Sequence, residues 1–523
     1  MNDESQKRPA DFPPVRFPKR VVILGDDACA WMSATMLQRH CGRLGIQVTV
    51  CSHGPTVPGN FRTYSTTPAL SGLLKNLGID EHDLLRACRG TYKLATQYSD
   101  WTSEGRDFWQ PMGMHSQRIE GLPLFDAWFS ERKAGRLLRP LHSYAAHWTA
   151  SLAGKSPHSF SATSMFAETG TYGFHVDAPE LAEWFRKVAL KSGVEEVPAP
   201  IAKVAPNGRG GVAQVVCDDG KAVPGDLFLD CRAVDAALRE SSSKDWTSWQ
   251  AQFSCDCVAT SRTPATRQVP VFTRLCGHEN GWSRTVPLAT EMEWTYAFDS
   301  QHESDREAGQ RLRMISSPSG PRDDRAEAAI EFQSIHYGRR TKFWKDNVVN
   351  LGTAACRFAP VVSADLHLQQ AGTELLLELF PDRKIGRATR AEYNARMASI
   401  ADEAREAAQL THVMRRSSVA QSQHATEAMT DALQQALSLY DACGVVNVTN
   451  AESMPAEEIR WFLAGCGRLP DRPALSVRAV DPNQIQHGLR EAVKRSEAIV
   501  KELPLHEELL DWIHTGPFQQ SVG

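Results

Sequence analysis

The feature that most constrains the fold of this chain is a short apolar strand that leads directly into a tight turn and a helix. Residues 20–25 (RVVILG) form a β-branched apolar run, which is typical of a buried parallel strand. Residues 28–37 (ACAWMSATML) have helical spacing, and residues 46–51 (IQVTVC) form a second buried strand. Together they predict a βαβ unit of about 30 residues, as at the start of a dinucleotide-binding sheet.

The turn of this unit departs from the usual Gly-x-Gly-x-x-Gly pattern. It retains Gly25, has Asp27 at the second glycine position, and has Ala30 as a tolerable substitute at the third. A carboxylate at about 5 Å from a phosphate charge, with an effective dielectric constant of about 20, is repelled by roughly 3 kcal/mol. Ser52 stands at the end of the second strand, where an acidic residue normally binds ribose hydroxyls. We therefore expect the unit to be kept as scaffold, with weak binding of any dinucleotide.

Composition excludes several classes of protein. The 523-residue chain has a net charge of -4, so no basic field points to nucleic acid. No run of 18 apolar residues predicts a membrane span, and residues 2–20 are polar and Pro-rich, without the apolar core of a signal peptide. The 12 cysteines are scattered, and only Cys255 and Cys257 lie close in sequence. We expect a cytoplasmic protein with reduced, mostly buried thiols, and a metal or disulfide role is the alternative.

The remaining patterns predict mainly strands in the middle of the chain and mainly helices towards its C-terminus. An aspartate-containing turn at 175–178 precedes an amphipathic helix, residues 226–231 and 253–300 are strand-like, and 301–330 are charged, with a surface loop at 317–321. Helical periodicity dominates the C-terminal third, at residues 366–380, 389–444 and 484–513.

Segments spread over residues 20 to 512 resemble, in order, those of the flavin-dependent tryptophan halogenases. GTYKLATQYSDW resembles the segment with the family's catalytic lysine, which matches Lys93, and GWSRTVPL lies where the family has its W-x-W-x-I-P signature. FWKDNVVNLGTAACRFAPVVSADLHLQQ resembles the segment that packs on the flavin. The other similar segments are VVILGDDACAWMSATML, FHVDAPELAEWFRKVALKSGV, DLFLDCRAVDAAL, RWFLAGCGRLPDRPAL and LPLHEELLDWI.

The resemblance implies an α/β fold with a FAD-binding, Rossmann-like module of the flavin monooxygenase or halogenase type, a mixed sheet and a mostly helical C-terminal region. We expect a flexible leader at 1–19, the FAD-binding-like module with inserted substrate-side segments at 20–365, and the helical region at 366–523. FAD is the implied cofactor, with no metal. The implied chemistry is an oxidoreductase reaction that carries hypohalous acid from the flavin to a lysine beside an indole, and it requires a separate flavin reductase.

Many positions that match the family's functional residues have changed. Val362 matches the catalytic glutamate, whereas the neighbouring Ser363 is retained. Ala364 and Asp365 match the residues whose amides help to hold the halide, and an aspartate there repels an anion. The matching cofactor-binding positions are Gly25, Asp27, Ala30, Ser52, Asp230, Gly352, Ala364 and Asp365. The remaining departures are Arg284 for the second signature tryptophan, Ala359 for a glutamate, Arg232-Ala233 for Ser-Gly, and the bulky residues 61–66 for a Gly-rich flavin strap.

Several single residues have two interpretations. Lys93 is either a nucleophile or base, or an ion-paired or snorkelling remnant. Asp177 is either the N-cap of the helix that follows or a substrate contact. Asp26 and Asp27 are adjacent carboxylates that point different ways, which disfavours a cation site. His53, His175 and His367 have no sequence-local partner, which favours structural roles.

Two main functions remain open. The first is a catalytically impaired or non-catalytic halogenase-like protein, such as the partner of an active paralogue, because the losses affect every functional segment while the apolar segments stay intact. The alternative is an active FAD-dependent halogenase or monooxygenase that acts on an indole or tryptophan-type substrate with a flavin reductase. A third hypothesis is binding of a small indole-type ligand without catalysis. A homodimer is compatible with each of them, and we expect neither a nucleic-acid nor a membrane partner.

Overall fold

The structure is a computed structural model, which describes most of the chain. The described residues are 17–52, 62–113, 117–136, 139–160, 166, 168, 171–232, 245–317, 329–357, 361, 365–417, 425–447 and 455–515. The α-helices are α1 (Ala28–Cys41), α2 (Ala69–Leu77), α3 (Glu81–Ala87), α4 (Leu124–Lys133), α5 (Ala146–Leu152), α6 (Ala178–Lys191), α7 (Asp305–Ser316), α8 (Asp365–Glu378), α9 (Arg387–Val413), α10 (Asp431–Cys443), α11 (Ala456–Gly465), α12 (Pro482–Lys501) and α13 (His506–Thr515).

Within the described residues, every strand except β1 lies between α1 and α8. The strands are β1 (Arg20–Leu24), β2 (Gln47–Ser52), β3 (Thr63–Ser65), β4 (Thr91–Lys93), β5 (Ala95–Ser99), β6 (Phe108–Pro111), β7 (Arg118–Ile119), β8 (Leu122–Pro123), β9 (Gly173–Asp177), β10 (Glu195–Pro198), β11 (Ile201–Pro206), β12 (Val212–Cys217), β13 (Ala222–Pro224), β14 (Leu227–Asp230), β15 (Trp246–Ser248), β16 (Cys257–Pro264), β17 (Phe272–His278), β18 (Gly281–Pro287), β19 (Glu291–Phe298), β20 (Glu331–Ser334), β21 (Gly338–Arg340), β22 (Trp344–Lys345), β23 (Val348–Asn350) and β24 (Cys356–Arg357).

The predicted βαβ unit lies at the centre of a six-stranded sheet with the order β10-β2-β1-β14-β23-β22. The pairs from β10 to β23 are parallel, and β22 is antiparallel to β23, so the sheet is mixed. Val21, Val22 and Ile23 of β1 are fully buried, as the continuous apolar run predicted. The predicted α/β fold class is thereby confirmed.

Helix α1 is buried along most of its length, because one side packs on the sheet and the others on α6 and α8. Trp31 is buried, Thr35 donates to the Phe185 carbonyl of α6 at 3.5 Å, and Ser33 shares a 2.8 Å hydrogen bond with Thr373 of α8. A helix enclosed in this way is stabilised mainly by burial, at about 1.5–3 kcal/mol for each large apolar side chain. This packing therefore fixes the position of the α1 N-terminus relative to the carboxyl edge of the sheet.

A second, seven-stranded sheet has the order β20-β16-β19-β18-β17-β5-β6, and it is antiparallel except for the β5–β17 pair. Strands β18 and β19 approach so closely that a Cβ on Gly281 would lie 2.0 Å from the Ala297 carbonyl oxygen. A small antiparallel sheet, β3-β9-β4, brings Lys93 opposite Gly173. These two sheets position the charged residues that are described below.

Helices dominate the chain after β24, and α11 reaches back to the strands. Phe462 of α11 packs edge-on against Tyr98 of β5, with 5.3 Å between the ring centroids, and against Phe108 of β6 at 5.7 Å. The helix thus presents the side chains of its first turn towards the interior. The mostly helical character predicted for the C-terminal region is confirmed.

Two local predictions were wrong, and one helix was not predicted. The turn expected at 175–178 is the end of strand β9, which continues to Asp177. The charged segment 301–330 contains helix α7, which begins with a capping box formed by Ser304 and Glu307. The long helical pattern at 389–444 is divided between α9 and α10. Among the described residues, no helix is long and apolar enough to cross a membrane.

Candidate functional site

Five of the positions that by resemblance match cofactor-binding residues lie at the carboxyl ends of β1, β14 and β23 or in the adjoining start of α1. They are Gly25, Asp27, Ala30, Asp230 and Gly352. Gly25 has a φ of 129°, and a Cβ there would lie 3.2 Å from the backbone of Cys231. A Cβ on Gly352 would lie 3.0 Å from the Cys29 sulphur. A hydrogen bond with the Cys29 thiol, together with burial, raises the pKa of Cys231 well above its usual value. Backbone and thiols are therefore packed closely in this crevice.

Asp27 is the N-cap of α1, and its carboxylate faces the helix. The side chain accepts a hydrogen bond from the Ala30 N–H at 2.9 Å. This N–H belongs to the first turn, where the positive end of the helix dipole would bind a phosphate. The chain thus supplies its own anion at the place where a dinucleotide presents its pyrophosphate. The sequence predicted a repulsive charge at this position but did not predict the cap.

Ser52, at the carboxyl end of β2, belongs to a charged network. Its hydroxyl donates to Glu196 of β10 at 2.9 Å, and Arg186 of α6 binds the same carboxylate at 2.6 and 2.9 Å. The bond to Arg186 is the main reason that the pKa of Glu196 is lowered. A carboxylate therefore does reach the end of β2, but it comes from the neighbouring strand and is held by an arginine.

Asp230, at the end of β14, is bound by the residue two positions further on. Both of its oxygens accept from Arg232, at 3.0 Å from Nε and 2.8 Å from Nη2, and the two side chains are almost fully buried. A bidentate pair of this kind is among the stronger polar contacts in proteins. The charge of Asp230 is therefore neutralised by a residue of the same chain, at the position that by resemblance matches a small residue.

Several other predicted positions fall outside the part of the chain that the structure describes. Val362, Ser363 and Ala364 lie outside the described residues, as do Ala359, Phe61, Ala233 and His53. Asp365 is the first residue of α8, but the position of its side chain is not described. The expected loss of the halide and glutamate sites therefore stays a prediction from the sequence.

Lys93 lies away from this crevice, at the end of β4, and only 3% of its surface is exposed. Such burial argues against the snorkelling interpretation. Burial lowers the pKa of Lys93 to about 7, with an opposing effect of Glu458 and a further lowering by Arg284. Burial also raises the pKa of Glu458 to about 7, although Lys93 partly offsets this effect.

Glu458 is the polar residue near Lys93 that sequence reasoning missed. It lies in the first turn of α11, one helical turn before Phe462, and therefore on the face that packs on the strands. In the sequence it follows Glu457, and the two resemble the acidic residues that are common in the first turn of a helix. The spacing of Glu458 from the buried Phe462 is the one signal that could have revealed it.

Arg284, which replaces the second tryptophan of the signature, is buried in an ionic network. Its Nη2 lies 3.3 Å from Glu293, which also binds Arg262 at 3.2 Å. Arg262 and Arg89 both reach Asp177, at 2.6 and 2.9 Å. A buried guanidinium requires such compensation, since burying an unpaired charge is very unfavourable.

Two interpretations of single residues are now decided. Asp177 accepts from the Glu180 N–H at 3.1 Å, which confirms it as the N-cap of α6. His175 is buried between the Thr91 and Thr273 hydroxyls, at 3.0 and 2.9 Å, which fits a structural role. Burial is also the main reason that the pKa of His175 is well below its usual value.

Within the part of the chain that is described, no group of three or more His, Cys, Asp or Glu side chains could hold a metal ion.

A very small aromatic cavity of about 10 Å³, with room for about one water molecule, lies between the second sheet and α9. It brings Trp282, the retained signature tryptophan, together with Val361 of the segment that by resemblance packs on the flavin. Trp101, Phe253 and Tyr337 are among the other residues that line it. The first tryptophan of the signature thus keeps an apolar environment while the second has become a charged residue.

Comparison with known proteins gives consistent matches. The tryptophan halogenase family model matches residues 20–482. The tryptophan 6-halogenase SttH of Streptomyces toxytricini is 25% identical over 528 aligned positions, which cover 94% of this chain and 98% of that protein. The tryptophan 7-halogenase RebH of Lentzea aerocolonigenes is 24% identical, with the same coverage. The crystal structure of SttH superposes with a TM-score of 0.85 over 94% of this chain and 99% of that one. BrvH, a flavin-dependent halogenase from a Brevundimonas species, is 24% identical and superposes with a TM-score of 0.84 over 95% and 99% of the two chains.

Proposed function

This chain belongs to the tryptophan halogenase family, and from that premise we propose that it is a catalytically impaired member whose own side chains take the places of the FAD phosphates and ribose. The observation that carries the proposal is the hydrogen bond from the Ala30 N–H to the Asp27 carboxylate, at 2.9 Å. An incoming pyrophosphate would have to displace the Asp27 carboxylate from the N-terminus of α1. The displaced carboxylate would still lie close to the phosphates and repel them. The repulsion is on the order of 3 kcal/mol, which corresponds to roughly a hundredfold loss of affinity.

The other crevice positions support the same proposal. Asp230 is held by Arg232, and Ser52 by Glu196. These contacts come from separate segments of the chain, so a single side-chain movement would not free them all. The residues that are present do not fit FAD in the pose that the resemblance implies, and we derive no reaction step through a flavin.

A maintained fold without its cofactor fits a protein that acts through binding. Residues 21–24 of β1 and 227–229 of β14 are buried and uncharged, and α1 packs on the sheet. We propose that the partner is a related, active halogenase chain. This chain has the same fold and would pair with it as a second subunit.

The test is a halogenation assay with reduced FAD supplied by a reductase, halide and L-tryptophan or indole. The proposal expects no halogenated product above the protein-free background, and an Asp27→Gly variant should begin to restore flavin binding. Product from the unmodified protein at a steady turnover would contradict it. Co-expression with a related active halogenase, followed by size-exclusion chromatography, tests the partner.

A second candidate is an active flavin-dependent halogenase or monooxygenase for an indole-type substrate. The observation that favours it is the buried Lys93, whose pKa is lowered to about 7 mainly by burial, with Glu458 close enough to raise it. The same assay separates the two candidates, since only this one predicts product that disappears in a Lys93→Met variant.

A further inference from the structure

A cleft of about 480 Å³ lies between helix α12, the β7–β8 hairpin and the start of α5. Its volume is within the range of pockets that hold small organic ligands. None of its lining residues belongs to the crevice at the carboxyl ends of β1, β14 and β23, or to the small sheet that carries Lys93. A ligand in this cleft would therefore bind independently of a flavin.

The cleft exists because small residues of α12 face the hairpin. Gly488, Ala492 and Ser496 follow one another at intervals of four and therefore share one face of the helix. A Cβ on Gly488 would lie 2.6 Å from Cγ2 of Ile119 in β7, so the helix and the hairpin are in close contact there. Charges that alternate in sign along α12 are common on solvent-exposed helix faces, but this contact turns the face towards the hairpin. Beyond the contact, alanine and serine leave space that larger side chains would fill.

Two arginines line the cleft, one from the hairpin and one from the helix. Arg118 of β7 donates to the Gly121 carbonyl at 3.0 Å, and neither it nor Arg495 of α12 forms an ion pair with another described residue. The carboxylate one turn before Arg495, that of Glu491, is bound by Lys494 at 2.9 Å. A guanidinium offers a planar pair of donors that matches a carboxylate. The two arginines therefore favour a ligand with a carboxylate group.

Acceptors without a partner line the hairpin side of the same cleft. The Oε1 atom of Gln117 is buried and has no hydrogen-bond partner among the described residues. Glu120 forms no ion pair within the described part of the chain, and a Cβ on Gly488 would lie 3.9 Å from its Oε1, so this carboxylate is turned towards α12. An amide oxygen and a carboxylate both accept hydrogen bonds from an ammonium group. Ile119 and Ile499 add apolar surface to the cleft.

We propose that this cleft binds a short zwitterionic peptide with apolar side chains, with Arg118 and Arg495 at its carboxylate and Gln117 and Glu120 at its ammonium group. Charged donors and acceptors in one cleft favour a molecule that carries both charges, since the carboxylates of the cleft repel a simple anion. The volume of about 480 Å³ is larger than a single amino acid, which favours a peptide of two or three residues.

Isothermal titration calorimetry of the purified full-length protein with the dipeptide Leu-Leu tests this assignment without any flavin. We expect saturable binding with a dissociation constant below about 1 mM. N-acetyl-Leu-Leu lacks the ammonium charge and Leu-Leu amide lacks the carboxylate, so each should bind at least tenfold more weakly. The absence of saturable binding of Leu-Leu would overturn the proposal. Equal affinity for the dipeptide and either modified form would overturn it as well. Neither outcome bears on whether the protein binds FAD.

Substitutions of exposed residues locate the peptide in the cleft. Arg118→Gln and Arg495→Gln should each weaken binding of Leu-Leu at least tenfold and reduce the preference for Leu-Leu over its amide. The matched control is Arg490→Gln, because Arg490 is an exposed arginine of the same helix that does not line the cleft, and it should leave the affinity unchanged. Arg118 and Arg495 are exposed as well, so we expect all three variants to fold. Equal affinities of Arg495→Gln and Arg490→Gln would place the peptide elsewhere and overturn the proposal.

Discussion

Replacing Asp27 by asparagine separates the two effects of this side chain, which are the capping of helix α1 and the negative charge at its N-terminus. Asparagine is an equally good N-cap, so the hydrogen bond with the Ala30 N–H can be kept while the charge is removed. We expect the free energy of unfolding to change by less than about 0.5 kcal/mol in Asp27→Asn. In Asp27→Ala the cap is lost as well, and the expected cost is about 1 kcal/mol.

The same pair of variants tests the electrostatic argument. The Asp27 charge opposes a phosphate at the helix end by about 3 kcal/mol, if it lies at about 5 Å with an effective dielectric constant of about 20. Asp27→Asn should therefore strengthen FAD binding by up to roughly a hundredfold. Urea denaturation gives the stabilities, and quenching of flavin fluorescence gives the affinities.

Two results would refute this account of Asp27. Equal destabilisation by asparagine and alanine would mean that the carboxylate does not act as the helix cap. Measurable and equal FAD affinities for the unmodified protein and Asp27→Asn would mean that its charge does not oppose the cofactor. The two outcomes are independent, because one concerns the folded protein alone and the other concerns a ligand.

Other contacts give further predictions. Arg232→Ser deprives buried Asp230 of its guanidinium and should cost about 3–5 kcal/mol, as read from chemical denaturation; a loss below about 1 kcal/mol would mean that the pair is solvated. Glu293→Gln leaves the buried charge of Arg284 less compensated, so the melting temperature should fall by several degrees, and Arg284→Met in the same chain should recover part of the loss. Burial lowers the pKa of His506 to about 4, so between pH 6.5 and 4 the unfolded chain binds a proton that the folded chain does not. Stability should fall by up to about 1.4 kcal/mol per pH unit as the pH decreases through this range, and His506→Gln should remove that contribution to the slope.

The scaffold could be predicted because it depends on local patterns. The β-branched run of β1 and the helical spacing of α1 specify a buried parallel strand and its crossover helix without information from distant residues. The cap at Asp177 was predictable for the same reason, since an N-cap bonds to an N–H only three residues away. Helix α7 was not predicted although its Ser304–Glu307 capping box is visible in the sequence, because the segment was characterised only by its high charge.

The contacts of these side chains were harder to predict because strand pairing, and not local sequence, brings the partners together. Ser52 meets Glu196, which is 144 positions away, and only the pairing of β2 with β10 brings them together. Arg284 was seen in the sequence as a lost tryptophan, whereas its partner Glu293 becomes visible only with the register of β18 and β19. A list of lost residues therefore predicts the loss of a site but not the contacts that replace it.

Glu458 shows the same limit of sequence-based prediction for the surroundings of Lys93. It lies 365 positions after Lys93 and follows another glutamate in the first turn of a helix. Helical spacing from Phe462 predicts its face, but the neighbour of that face depends on how α11 docks against β5 and β6. The tertiary arrangement thus places Glu458 where its charge opposes the lowering of the Lys93 pKa.

The central claim is that the chain's own side chains close the cofactor crevice. An absorbance spectrum of the purified protein, followed by titration with oxidised and reduced FAD, tests it most directly. We predict a colourless protein without saturable binding up to near-millimolar FAD. A yellow protein with flavin bands, or a dissociation constant in the low micromolar range, would contradict the claim and favour an active flavoenzyme.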